Sequence, residues 1–220
     1  MLPILYSFRR CPYAMRARMA LAYSEIVVEL REILLKDKPA SMLESSSKAT
    51  VPVLVLEEKV IDESLDVMKW ALLQKDKDQW FHGLDPKVQN EILELIDKND
   101  HQFKPILDRY KYSDRHPQSE DYYRNLSLGY LEELYQRLLK NKYLFGANLS
   151  LADVAIFPFI RQFAFVNKKW FDATRLQSLK AWLEDFLSSE RFLGIMQKYK
   201  PWKQGDYVEY QPFEIKESFA

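Results

Sequence analysis

Cys11 is the only cysteine among 220 residues, and its neighbours suit a reactive thiol. A short apolar run, Leu2-Pro3-Ile4-Leu5-Tyr6, precedes it. Pro12 follows, and then a stretch from Tyr13 to Leu21 that is rich in helix formers. The pattern predicts a strand, a tight turn and a helix with Cys11 at its N-terminus. Pro12 falls at the first helical position, where its missing N–H would have had no partner. The thiolate is the nucleophilic form of cysteine, and the N–H groups and positive dipole end of a helix favour it over the thiol. Arg9, Arg10 and Arg16 add positive potential nearby. Residue type alone favours a buried structural thiol. A Cys-Pro step between strand and helix, however, is a poor place to bury a small hydrophobe.

Two further segments stand where chemistry is often placed. Val51 to Leu56 is almost continuously apolar, as expected of a strand buried on both faces, and it opens on a Val51-Pro52 step. Asp62-Glu63-Ser64 opens a helix running to Gln74, and helix starts bind carboxylates through their N–H groups. An acidic, well-capped helix terminus is the plainer role of the same residues. The elements that must position these segments follow from hydrophobic spacing. Strands are expected at 2–6, 27–35, 51–56 and 60–61, and helices at 12–24, around 39–47 and at 64–74. The order is β-α-β-α-β-β-α. A charged run at Lys75-Asp76-Lys77-Asp78 marks a change of composition. Beyond it helices are expected at 87–110, 119–141, 151–167, 175–188 and 190–198. The division is a first domain over 1–75, a linker over 76–86, an all-helical domain over 87–200, and a tail over 201–220. A mixed part followed by a helical part suggests two fused domains. The aromatic tail, with Trp202, Tyr207, Tyr210 and Phe213, is expected to pack back on the body.

Ser150-Leu151-Ala152-Asp153 is a capping-box signature ahead of an apolar run, with Asp in place of the usual Glu. It is assigned to folding rather than chemistry. Acidic and basic residues balance at 32 each, which gives no global attraction to nucleic acid or to an anionic membrane. One cysteine excludes an intramolecular disulfide, a cysteine-based zinc cluster and a dithiol redox pair. It suits a reducing, cytoplasmic compartment. No secretory signal and no membrane span are expected. His82, His101 and His116 are scattered without metal-ligand spacing, so no metal is expected.

Cys11-Pro12-Tyr13-Ala14, Val51-Pro52-Val53-Leu54 and Asp62-Glu63-Ser64 together resemble the glutathione-binding domain of the glutathione transferases. The likeness is to the cysteine-containing omega type and to the two-domain bacterial glutaredoxin of similar architecture. Ser150 to Asp153 resembles the N-capping motif of the helical domain in that superfamily. The resemblance implies an α/β thioredoxin-like N-terminal domain, an all-α C-terminal domain, and glutathione as co-substrate. It implies a cis Val51-Pro52 bond, with the Val51 N–H and C=O turned outward beside Cys11 to hold the cysteinyl part of glutathione. Glu63 and Ser64 would hold its γ-glutamyl end. Pro12 and Tyr13 would flank the site, and Lys38, the lysine before Pro39, would contact glutathione as in omega-type proteins. Tyr110, Tyr112, Tyr122 and Tyr123 bracket the turn between the first two helices of the second domain, against which the second substrate of this superfamily usually lies, so the resemblance offers them as pocket residues, although core packing suits any one of them. Ala14 departs from the dithiol pattern, so a redox cycle must run through one thiol and external glutathione. Ala49-Thr50 replaces the small-residue turn often found before the Val-Pro step.

The function implied is a glutathione-dependent monothiol transferase or reductase. It would act on glutathione mixed disulfides or small electrophiles through a mixed disulfide at Cys11. Its partners would be glutathione and a thiol-bearing or electrophilic small molecule or protein, and the chain would be a homodimer or a monomer. Two alternatives stand beside it. One is a glutathione-conjugating transferase or isomerase, which usually activates glutathione with tyrosine or serine. The other is an interaction module without catalysis, which would need none of the three motifs.

Overall fold

Five strands form one mixed sheet in the order β4-β3-β1-β2-β5. They are β1 (Ile4–Ser7), β2 (Val28–Glu32), β3 (Val53–Val55), β4 (Val60–Ile61) and β5 (Tyr210–Gln211). The computed structural model describes residues 2–203, 205–206 and 210–211. β1, β3 and β4 are rich in β-branched and apolar residues, and β2 alternates Val28 and Leu30 with charged residues, patterns that fit a pleated, half-buried surface. β1 is central: it runs parallel to β2, with Tyr6 opposite Arg31, and antiparallel to β3, with Tyr6 opposite Val53. Parallel neighbours need a crossover, which α1 (Pro12–Tyr23) supplies. α2 (Ala40–Ser45) joins β2 to β3, and α3 (Ser64–Gln74) follows β4 and packs against α1. This is the thioredoxin-like arrangement expected of the first domain. The tail contributes β5, antiparallel to β2, with Tyr210 opposite Glu29. Tyr207 and Phe213 lie outside the described residues.

The chain divides into two compact units. Described residues through Lys77 join those from Ser188 onward in one unit, and Asp78–Leu187 form the other. The helical unit contains α4 (Pro86–Lys98), α5 (Lys104–Lys111), α6 (Glu120–Leu126), α7 (Leu128–Lys140), α8 (Leu151–Ala164), α9 (Lys168–Ala173) and α10 (Gln177–Ser188), the last residue excepted. Two features differ from the boundaries expected from composition. The 76–86 stretch is no plain linker, because Trp80 is fully buried and its carbonyl accepts the Leu151 N–H at 2.8 Å. The final helix, α11 (Glu190–Ile195), belongs to the first unit, where it packs against α1 and buries Phe192 and Ile195.

The helical unit is centred on α8, which is buried over nearly its whole length. Ser150 and Asp153 close a capping box at its start. The Asp153 carboxylate accepts the Ser150 N–H at 3.0 Å and the Ser150 hydroxyl at 2.6 Å through one oxygen. Through the other it accepts the Leu144 N–H at 2.9 Å and the Trp182 indole N–H at 3.0 Å. Burial pushes this carboxyl upward, and the four donors oppose the shift. Among the described residues no helix is long and apolar enough to cross a membrane.

Candidate functional site

β1 delivers the chain to a turn, Phe8-Arg9-Arg10, and the turn sets Cys11 at the N-cap of α1. The Cys11 N–H donates to the Phe8 carbonyl at 2.9 Å, and the Cys11 carbonyl accepts the Met15 N–H at 2.9 Å. Its backbone is extended (φ −76°, ψ 123°), and Pro12 starts the helix. The sulfur is half-buried and lies 3.8 Å from the Val51 carbonyl oxygen. Ala14, one turn along, is fully buried. The thiol therefore sits at the positive end of a three-turn helix, half-buried against the sheet cluster.

The Val51-Pro52 peptide is cis, and Val53 begins β3 behind it. Val51 belongs to a buried cluster with Tyr6, Ala14, Ile33, Met42 and Val53, against which Cys11 and Trp202 pack. Ala49, two residues before Val51, holds φ at +52°. A side chain in the left-handed region costs roughly 1–2 kcal/mol, which glycine avoids. Ala49→Gly is therefore expected to raise the unfolding free energy by up to about 1 kcal/mol, less the entropy that glycine adds to the unfolded chain. Denaturant titration of the two proteins checks it.

Glu63 is the N-cap of α3 and Ser64 its first residue. Ser64 is buried, and its hydroxyl accepts from the Arg16 Nε at 3.0 Å. Arg16 is itself buried and lies over the Tyr13 ring at 5.1 Å. One guanidinium thus connects the first turn of α1, which carries Tyr13, to the start of α3. Lys48 donates to Glu63 at 2.6 Å and to Asp62 at 3.0 Å. The Ser46 hydroxyl donates to Asp62 at 2.7 Å. These bonds, Ser46 first and then Lys48, hold the Asp62 carboxyl below its usual range. Lys48 and Ser46 carry no signal as site residues in the sequence, and Arg16, expected only to add positive potential near Cys11, gives no sign of its bond to Ser64. Lys48 and Ser46 lie in a polar loop that resembles any surface loop, and the partner of Arg16 is 48 residues away.

Lys38 follows a turn closed by the Asp37 N–H on the Leu34 carbonyl at 2.9 Å. It is half-buried, and no hydrogen bond or ion pair joins it to Cys11, Val51 or Ser64. Of the four tyrosines around the helical turn, Tyr110 and Tyr123 are buried, Tyr112 is half-buried and Tyr122 is exposed. His101 pairs with Asp97 and His116 meets the Tyr123 ring edge-on. No group of three metal-ligating side chains is found among the described residues.

The geometry gathers a cysteine at a helix N-cap, a backbone edge at Val51 and a polar helix start at Glu63-Ser64 in one sheet domain, followed in the chain by a helical one. Pyrimidodiazepine synthase from Drosophila melanogaster is 26% identical over 191 residues, which cover 82% of this chain and 74% of that protein. Among solved structures, glutathione transferase Omega 3C from Trametes versicolor has a TM-score of 0.75 at 20% identity, covering 91% of this chain and 86% of its own. A glutathione transferase family member from Pseudomonas fluorescens, with two glutathione bound, has a TM-score of 0.76 at 15% identity, covering 89% and 92%. These two likenesses concern the fold. Residues 5–80 match the model of the glutathione S-transferase N-terminal domain, and residues 124–185 match that of the C-terminal domain. With both domain models matched in order on one chain, this protein belongs to the glutathione transferase family.

Proposed function

We propose that this protein is a glutathione-dependent monothiol transferase in which Cys11 is the nucleophile. The observation that carries the reading is the Cys11 sulfur, half-exposed at the α1 N-cap and 3.8 Å from the Val51 carbonyl. A glutathione peptide pairing with the Val51 backbone would bring its own sulfur beside this thiol. The γ-glutamyl end carries a carboxylate and an ammonium. The α3 start offers N–H groups and the Ser64 hydroxyl to the first, and the Glu63 carboxylate to the second. Pro12 and Tyr13 flank the sulfur, and Lys38 is assigned to a glutathione carboxylate. The likeness to an omega glutathione transferase and to pyrimidodiazepine synthase supports an enzyme rather than a scaffold.

The reaction runs in two exchanges. The Cys11 thiolate attacks the glutathione sulfur of a mixed disulfide, that S–S bond breaks, and the substrate leaves as a thiolate that takes a proton from water. A second glutathione thiolate then attacks the glutathione sulfur held on Cys11. Glutathione disulfide forms, and the Cys11 thiolate is restored. Net, one glutathione thiol is consumed per mixed disulfide: its sulfur is oxidised into glutathione disulfide, the substrate sulfur is reduced to the thiol, and no other reductant is needed. Dependence on reduced glutathione places this work in a reducing compartment such as the cytoplasm.

The test is turnover of the mixed disulfide of glutathione and 2-mercaptoethanol, coupled to glutathione reductase. Turnover that saturates in that substrate and requires reduced glutathione is expected. Absence of turnover, alongside conjugation of glutathione to an aryl halide, would transfer the protein to the conjugating class. Ser64 gives a separate prediction. Ser64→Ala is expected to weaken glutathione binding about tenfold, the scale of one hydrogen bond to a charged group. Calorimetry showing unchanged affinity would remove Ser64 from the site.

A further inference from the structure

Beneath the Cys11 turn lies a charged pair in which Arg18 is fully buried and Glu32 nearly so. Arg18 is on α1 and Glu32 ends β2, with their nearest charged atoms 3.6 Å apart. Between them they grip both backbone polar groups of Arg9. The Arg9 N–H donates to Glu32 at 2.6 Å, and Arg18 donates to the Arg9 carbonyl at 3.0 Å. Arg9 is two residues before Cys11, within the turn that sets the thiol at the helix end. The same node reaches the C-terminal segment. The Glu32 carbonyl accepts the Trp202 N–H at 2.7 Å, and the Arg9 guanidinium donates to the Met196 carbonyl at 3.4 Å.

We propose that Arg18 and Glu32 are positioning residues for Cys11: the pair clamps the Arg9 peptide, and the buried guanidinium supplies positive charge to the thiolate. The inference rests on the reading of Cys11 as a nucleophile. A buried ion pair is a weak contributor to stability, since desolvation offsets its attraction, so stability alone does not account for placing one under a turn that carries a reactive thiol. The groups facing Arg18 are Glu32, Tyr199, Cys11 and Arg9. Desolvation lowers its pKa to about 10, which leaves it charged at neutral pH. The carboxyl of Glu32 is pushed up by burial, against the Arg9 N–H and the charges of Arg18 and Arg9. The cluster under Cys11 carries no charged side chain, and its Tyr6 hydroxyl is engaged by Arg31 and Ser41. Arg10 and Arg16, on the same turn and helix, lie over Phe8 and Tyr13. Arg16 is held inward as well but is engaged by Ser64 and Tyr13, which leaves Arg18 as the buried cation bonded to the Arg9 turn.

The test is the pH dependence of iodoacetamide alkylation of Cys11 in the full-length wild type, Arg18→Met, Glu32→Gln and the double variant. Arg18→Met removes the cation. Its alkylation midpoint is expected to move up by about one unit, with about tenfold slower labelling at pH 7. Glu32→Gln keeps an acceptor for Arg9 and removes the opposing charge, so its midpoint is expected to move down. Should Arg18→Met fail to fold because Glu32 is left buried without its partner, the double variant removes both charges. Its midpoint is expected to lie above that of Glu32→Gln. Folded variants with the wild-type midpoint and shifted unfolding midpoints would overturn the proposal and leave the pair purely structural. A wild-type midpoint at or above about 8.5 would instead sink the nucleophile reading itself.

Discussion

Cys11→Ser is expected to lose turnover of glutathione mixed disulfides by about a thousandfold or more, down to the uncatalysed exchange. A serine hydroxyl is not ionised near neutral pH, and it forms no disulfide. Removing a nucleophile outright leaves only what binding and the surrounding dipoles contribute. With no second cysteine and a buried Ala14 one turn on, no other thiol can take over the exchange. The fold should be indifferent. Cys11 is half-buried, and its backbone bonds to Phe8 and Met15 survive the change. Glutathione binding should therefore persist, since Val51, Glu63, Ser64 and the other residues assigned to it are unchanged. Steady-state assays beside calorimetry check both halves. Wild-type turnover in the serine variant would remove Cys11 from the mechanism.

Asp153→Asn is expected to lower the unfolding free energy by about 3 kcal/mol, and Asp153→Ala by at least as much. Both carboxylate oxygens accept two donors, in a position with no exposure to solvent. An asparagine amide has one accepting oxygen. Its NH2 group must face either the Ser150 N–H or the paired N–H groups of Leu144 and Trp182. A hydrogen bond to a buried charge contributes about 1.5–3 kcal/mol, and a stranded buried donor costs about 1–3 kcal/mol. The loss exceeds the typical cost of about 1 kcal/mol for an ordinary cap, because this carboxylate also ties α8 to Leu144 and to α10. The turnover per folded molecule should stay near the wild-type value. Denaturant unfolding gives the first quantity and active-site titration the second. An unshifted unfolding midpoint with lost turnover would make Asp153 a functional residue.

What was legible in the sequence was local. The Cys11-Pro12 step, the apolar run from Val51 and the Ser150-to-Asp153 box each specify their geometry within a few residues, and each lies where it was expected. Breaks inside long apolar patterns were not. The helix expected over 87–110 contains a π-helical turn at Asn99–Phe103 just ahead of Pro105. Proline there leaves a carbonyl of the preceding turn without its N–H, and a wider turn absorbs the mismatch. The helix expected over 119–141 is interrupted at Ser127, which is fully buried and bonds back to the Tyr123 carbonyl at 3.3 Å. α9 was missed although Asn167 caps it at the Trp170 N–H, because one polar cap before six residues is a faint signal. The buried charges were the least legible. In the sequence Arg16 offers only positive potential near Cys11 and Arg18 carries no signal, because their partners, Ser64 and Glu32, arrive from distant elements.

The central claim is that glutathione becomes covalently attached to Cys11, and intact-protein mass spectrometry after exposure to glutathione disulfide tests it most directly. The account predicts one glutathionyl group on the wild type, located at Cys11 by peptide mapping, removed by reduced glutathione, and absent from Cys11→Ser. A wild-type protein that stays unmodified while it turns over glutathione substrates would contradict it.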